Sequence, residues 1–313
     1  MLYSSYRNGG FMDRVNICLA CDDNYSKYAG VVIASALANT DVDLNIYILD
    51  GGISETHKEE ILSLKSIHNC DIHFVGIDEN LFEDYKKVKT HAYLSLATYY
   101  RLKLPTLLPD VDRLIYFDCD MVINSSLKDL FNTDMGESAI AGVRDINKRI
   151  LKKNPNYVNA GMLVLDLKQM RVQNLEEKFL EWTKEHIDTI KMGDQEIINE
   201  VEKGRIVIVD DEWNVQSSNF TNRSSYTNNP KVIHFVARKK PWHFASHSYH
   251  RPLYFKYLQL TPWALKDEEK FHWYTKNQIM SLLTYVKYRP LFLFRPRFYE
   301  ALFCTYIKPI LKK

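Results

Sequence analysis

From residue 14 onward, short apolar runs alternate with segments whose apolar positions recur every three to four residues, the pattern of strands and amphipathic helices taken in turn. RVNICLAC (14–21) reads as a buried strand, KYAGVVIASALAN (27–39) as a helix and LNIYILD (44–50) as a second strand. Ser54 is placed to cap the helix SETHKEEILSLKSI, because its hydroxyl can accept from a free N–H of the first turn. DIHFVGI then reads as a third strand, and successive strand–helix–strand units predict a parallel sheet covered by helices. SLATYYRLKLPTLL predicts a helix running to Pro105. RLIYFD, AIAGVRD, AGMLVLDL, GRIVIVDD and KVIHFV predict further strands, with NLEEKFLEWTKEHIDTI and GDQEIINEVEK as amphipathic helices between them. The expected fold is an α/β domain over about residues 13–260, without repeats or low-complexity segments.

One stretch breaks the hydrophobic rule. LIYFDCDMVI (114–123) is an apolar run with Asp118 and Asp120 in its middle. Residues two apart in a strand share a face, so the two carboxylates converge if the strand persists, while Cys119 points the other way. Ligands of open α/β sheets bind beyond the carboxyl ends of strands. Two carboxylates aimed at one spot repel each other unless something neutralises them, and a hard divalent cation with phosphate oxygens does so. Two chemistries use such a pair. In haloacid-dehalogenase-type phosphatases the first Asp is a nucleophile assisted by Mg2+; in nucleotide-sugar glycosyltransferases both acids hold a metal on the donor diphosphate. The phosphatase motif normally opens its domain, whereas this pair follows about a hundred residues of α/β pattern, which favours the transferase.

Composition narrows the setting. Over 313 residues, 46% hydrophobic and 26% charged content with a formal net charge of +2 describe a soluble globular chain with no global pull towards nucleic acid. Five scattered cysteines, Cys18, Cys21, Cys70, Cys119 and Cys304, fit a reducing compartment better than a disulfide framework, so a cytoplasmic location is expected. The pair in CLAC lies inside a strand with no second pair, which argues against zinc. No Gly-rich phosphate loop occurs, no apolar run reaches the ~18 residues of a membrane span and the N-terminus has no signal-peptide core. Residues 1–11 read as a leader, non-native or disordered, ahead of a start at Met12. At the other end, residues 276–313 carry eight Lys or Arg against one acid, Glu300, among eight Tyr or Phe. Cations set among aromatic rings suit an anionic membrane surface. The expected division is therefore a catalytic domain over 12–262 and a helical, basic and aromatic membrane-association segment over 263–313.

The sequence resembles the bacterial glycosyltransferases of family 8, the glycogenin-related galactosyl- and glucosyltransferases that extend lipooligosaccharides and other surface glycans. The resemblance rests on ACDDNY (20–25), LDGGIS (49–54), TYYRLKLP (98–105), LIYFDCDMVI, NAGMLVLDL (159–167), GDQEIIN (193–199) and IHFVARKKPWH (233–243), in that order. It implies a GT-A nucleotide-diphospho-sugar transferase fold, with a Rossmann-like, mostly parallel mixed sheet. It also implies a retaining transfer of galactose or glucose from a UDP-hexose to a glycan or glycolipid hydroxyl; the basic, aromatic C-terminal segment adds the expectation of a peripheral place on the inner face of the cell membrane. His234 then joins Asp118 and Asp120 as metal ligand, a set that suits Mn2+ with Mg2+ as the alternative. Ala20, Asp22, Asp23, Asn24 and Tyr25 match the uracil and ribose site. Arg101 and Cys119 lie among the donor contacts, and Lys240 holds the diphosphate. Ala237 stands where the family usually has Gly, which puts a close backbone approach there in doubt. Asp145, Asn159, Ala160, Gly161, Asp194 and Gln195 match the sugar-binding and reaction-centre positions, with Gln195 against the anomeric carbon and Asp194 as the nearby carboxylate. Two rival readings remain at this stage: a Mg2+-dependent phosphatase with Asp118 as nucleophile, and a membrane-bound glycan-binding protein without turnover.

Overall fold

The computed structural model describes residues 14–88, 96–217, 229–236, 240–242, 248, 250–266 and 294. The leader, Ala237 and nearly all of the basic C-terminal segment lie outside the described residues. Seven strands form the main sheet in the order β3-β2-β1-β4-β7-β6-β8: β1 (Arg14–Cys21), β2 (Asp43–Asp50), β3 (Cys70–Gly76), β4 (Arg113–Phe117), β6 (Ile140–Arg144), β7 (Val158–Asp166) and β8 (Val207–Ile208). A second sheet of three strands, in the order β5-β10-β9, is made by β5 (Met121–Ile123), β9 (Val215–Gln216) and β10 (Val232–His234). The parallel sheet read from the sequence holds for β3 to β4, while β7 runs antiparallel to both β4 and β6.

The strands are near-continuous apolar runs because both faces of the sheet are covered. One core contains Ile17, Leu19, Ile46 and Phe117 with the helix Ser26–Asn39; the other contains Leu102, Tyr116, Leu163 and Phe179. The helix Ser26–Asn39 is buried over most of its length, as its apolar character on nearly every side requires. It lies between the main sheet and a third cluster in which Val122, Ile233, Phe235 and Tyr257 pack together. Gly30 lets Trp263 close over this helix, since a Cβ there would lie 2.2 Å from the indole ring.

The order β3-β2-β1-β4 sends the chain one way from β1 through β2 and β3 and the other way to β4. That reversal opens a crevice at the carboxyl ends of β1 and β4, where such sheets bind ligands. The run LIYFDCDMVI is not one strand. β4 ends at Phe117, residues 118–120 turn, and β5 continues in the smaller sheet. Elsewhere the expected helix before β4 is a 3-10 segment, Leu96–Lys103, followed by one turn of α-helix, and GRIVIVDD contributes only Val207–Ile208.

Candidate functional site

The two acids occupy the seam between the sheets. Asp118 N–H donates to Gly161 O of β7 at 2.8 Å, and Asp120 O accepts from Phe235 N, just after β10, at 2.9 Å. β10 lies antiparallel to β5 with His234 opposite Met121, so the imidazole arrives beside the carboxylates. Each of Asp118, Asp120 and His234 offers a ligand atom within 4.8 Å of the other two. His234 Nε2 is 4.0 Å from Asp118 Oδ2 and 3.2 Å from Asp120 Oδ1. The convergence expected from the pleat of one strand is achieved by a turn and a second strand.

Two features fit this cluster to a metal ion. Asp120 Oδ1 is buried yet has no hydrogen-bond partner, a costly state unless a cation satisfies it. At Gly161 an added Cβ would lie 2.4 Å from His234 Cε1 and 2.9 Å from Asp118 Oδ2, so the backbone here leaves the space beside the ligands clear. Two carboxylates and one imidazole form a donor set for a divalent cation.

Positive charge flanks the acids. Lys240 Nζ donates to Asp120 Oδ2 and, at 2.8 Å, to Phe235 O. Burial raises the Asp120 carboxyl, but the positive charge around it, Lys240 foremost, outweighs burial and holds the group below the usual carboxylate range. Arg101, expected to reach donor sugar or acidic ligands, is 5% exposed. Its Nη2 donates to Asp118 Oδ1 at 2.6 Å and its Nη1 to Ala160 O, and its guanidinium lies 4.1 Å from the centre of the Tyr116 ring. Its Nε is also 3.0 Å from Asp194 Oδ2. Burial alone would lower the Arg101 pKa, but Asp118 and Asp194 hold it above its ordinary value.

The reaction-centre candidates gather on β7, the helix Asp194–Val201 and, for Asp145, the end of β6. Gln195 Oε1 accepts from Ala160 N–H and Asn159 Nδ2, each at 3.1 Å, and its Nε2 donates to Asp145 Oδ2 at 3.2 Å. Both ends of this amide are therefore engaged. Asp145 Oδ1 accepts from Asn147 N–H at 2.7 Å. Asp194 is buried, its Oδ2 accepts no hydrogen bond, and burial pushes its carboxyl up to about 6, opposed by Arg101 and reinforced by Asp118.

The loop after β1 is more occupied than its sequence suggested. Asp22 caps the turn by accepting from Tyr25 N–H at 2.9 Å. Asp23 accepts from Ser54 N–H at 2.8 Å and pairs with His57 Nδ1 at 2.6 Å, tying the first strand–helix loop to the second. Asn24 and Tyr25 stay exposed. Cys119 turns away from the acids, its thiol donating to Ala20 O at 3.3 Å. Sequence reasoning missed Tyr116, His57 and Asn214. Asn214 Oδ1 lies 3.2 Å from His234 Nδ1, but an asparagine in a short turn carries no periodic signal.

The model of the family described as Glycosyl transferase family 8 matches residues 16–246. Among curated relatives, General stress protein A of Bacillus subtilis is 28% identical over 80% of this chain and 94% of its own length. The lipopolysaccharide 1,3-galactosyltransferase of Salmonella typhimurium is 25% identical over 76% of each chain. Among solved structures, an active-site mutant of LgtC superposes with a TM-score of 0.69 at 25% identity, covering 82% of this chain and 99% of that one. The phosphatase alternative finds no support: the matching family model is one of glycosyl transferases.

Proposed function

The chain belongs to glycosyl transferase family 8, and from that premise we propose that it moves a galactose or glucose from a UDP-sugar to a hydroxyl of a surface-glycan or glycolipid acceptor, retaining configuration and using Mn2+. The enzyme class, a glycosyltransferase on a GT-A fold, follows from the family and from the likeness to LgtC. The donor, metal and acceptor are our reading. The observation that carries it is the seam between the sheets, where Asp118, Asp120 and His234 converge around a buried, unsatisfied carboxylate oxygen.

When bound there, the metal supplies Lewis-acid stabilisation of the donor diphosphate. The chain's own groups do the rest. Lys240, next to Asp120, adds a fixed positive charge for the departing UDP. Tyr25, 44% exposed beside the crevice, offers a ring for the uracil, and Asp22 and Asn24 offer polar groups for base and ribose. Asp194, with an unsatisfied carboxylate oxygen, suits a sugar hydroxyl, since a buried acceptor gains most from a donor brought by the ligand. Gln195 faces the sugar with its amide held on both sides, which suits positioning and charge stabilisation rather than covalent attack. The acceptor hydroxyl attacks on the face the leaving group vacates, and a diphosphate oxygen takes its proton. The name of the Salmonella relative supports a lipopolysaccharide-type acceptor and galactose as the first donor to try.

The test is UDP release from a panel of UDP-sugars with Mn2+ or EDTA. UDP-galactose or UDP-glucose is expected to support release that EDTA abolishes. Undiminished release in EDTA would contradict the proposal, and donor binding without any turnover would support the glycan-binding alternative.

A further inference from the structure

Behind the ligand cluster runs a line of buried side-chain amides that joins His234 to Asn159 and Gln195 through Asn214, a residue no sequence motif announces. His234 Nδ1 faces Asn214 Oδ1 at 3.2 Å, and Asn214 Nδ2 faces Asn159 Oδ1 at 3.0 Å. Asn159 Nδ2 faces Gln195 Oε1 at 3.1 Å, and Gln195 Nε2 faces Asp145 Oδ2 at 3.2 Å. Asn214 is fully enclosed, with 0% exposure.

A side-chain amide has a donor end and an acceptor end, and only its partners tell them apart. Here backbone partners do so for two of the three amides, Asn159 and Gln195, and the third, Asn214, follows from its contact with Asn159. The backbone N–H groups of Gly161 and Ala160 can only donate, and they point at Asn159 Oδ1 (3.2 Å) and Gln195 Oε1 (3.1 Å). Asn159 therefore shows its carbonyl to Gly161 and to Asn214. Asn214 must meet that carbonyl with its NH2, which turns its own carbonyl towards His234. An acceptor facing Nδ1 requires the ring proton there, and in neutral imidazole Nε2 is then the bare lone pair. That atom is the one aimed at Asp118 and Asp120. The other tautomer would place an Nε2–H against Asp120 Oδ1, fill its vacancy and close the cluster to a cation.

We infer that Asn214 is a positioning residue: through an amide line whose direction is set by the backbone of β7, it fixes His234 as the Nδ1–H tautomer and keeps Nε2 available as a ligand. The inference rests on the metal-site reading above but makes its own claim about the metal-free protein. Outer partners of ligating histidines commonly set ligand orientation, and losing one costs roughly 10- to 100-fold in metal affinity.

The experiment joins 15N NMR of the histidine ring nitrogens in metal-free protein, with His234 assigned from a His234→Gln variant, to Mn2+ titration followed by electron paramagnetic resonance. Wild type is expected to show protonated Nδ1. Asn214→Leu is expected to lose that preference and to bind Mn2+ about 10- to 100-fold more weakly. A protonated Nε2 in wild type overturns the inference, as does unchanged Mn2+ affinity in Asn214→Leu. Protonated Nδ1 in a wild-type protein that binds no Mn2+ supports the amide line and overturns the metal reading instead. Should Asn214→Leu fail to fold, the wild-type spectrum decides: protonated Nδ1 with a bare Nε2 supports the inference, and a protonated Nε2 overturns it.

Discussion

Asp194 begins the helix Asp194–Val201 with its carboxylate buried and Arg101 beside it, yet Arg101 Nε gives its hydrogen bond to Thr98 O at 3.1 Å. Proximity without a bond leaves burial as the dominant influence, and the Asp194 carboxyl rises from 3.8 to about 6. A carboxyl whose folded pKa is raised favours the folded state fully below its unfolded value and loses that contribution as pH rises through the folded one. Wild type is therefore expected to lose, between about pH 4 and about pH 6, roughly 3 kcal/mol relative to Asp194→Asn. Denaturant melts of both proteins across that range check it, and parallel stability curves would refute it. Residue identities at the site were legible where chemistry contradicts surroundings, as with Asp118 and Asp120 in an apolar run. They were illegible where a polar residue serves a neighbour. Nothing in DEWNV marks Asn214, and nothing in TYYRLKLP shows which acids Arg101 meets.

Elements obey period better than individual side chains obey motif. The buried strands around β1 follow from runs that only a doubly covered sheet tolerates. The break at residues 118–120 did not follow, because it depends on partners far along the chain: Gly161 O holds Asp118, and Phe235 N–H holds Asp120. β7 shows how tightly these elements fit. The methyl group introduced by Gly161→Ala would press on His234 and Asp118. The added bulk is expected to cost ~1–3 kcal/mol and to weaken Mn2+ binding. The thermal melt and metal titration of Gly161→Ala check this pair of effects, and wild-type Mn2+ affinity in a folded variant would show that the seam has room to spare.

At the scale of the whole molecule, the sheet order brings residues from positions 22 to 240 to one crevice, which is why no single stretch of sequence contains the site. Among the described residues no helix is long and apolar enough to cross a membrane. Our proposal that the chain works on a membrane surface rests on the composition of residues 276–313. Intact protein is expected to sediment with anionic vesicles at low salt, to release as salt rises, and to ignore neutral vesicles. Equal binding to neutral vesicles, or none to anionic ones, would remove that proposal.

The account stands on one cation held jointly by Asp118, Asp120 and His234, the last contributed from the other sheet. The direct measurement is Mn2+ titration of wild type and His234→Ala in the presence of UDP, with free Mn2+ read by electron paramagnetic resonance. A single tight site in wild type, weakened by about tenfold or more in His234→Ala, is the predicted result. Equal affinity in the two proteins, or no Mn2+ bound by wild type, would contradict it.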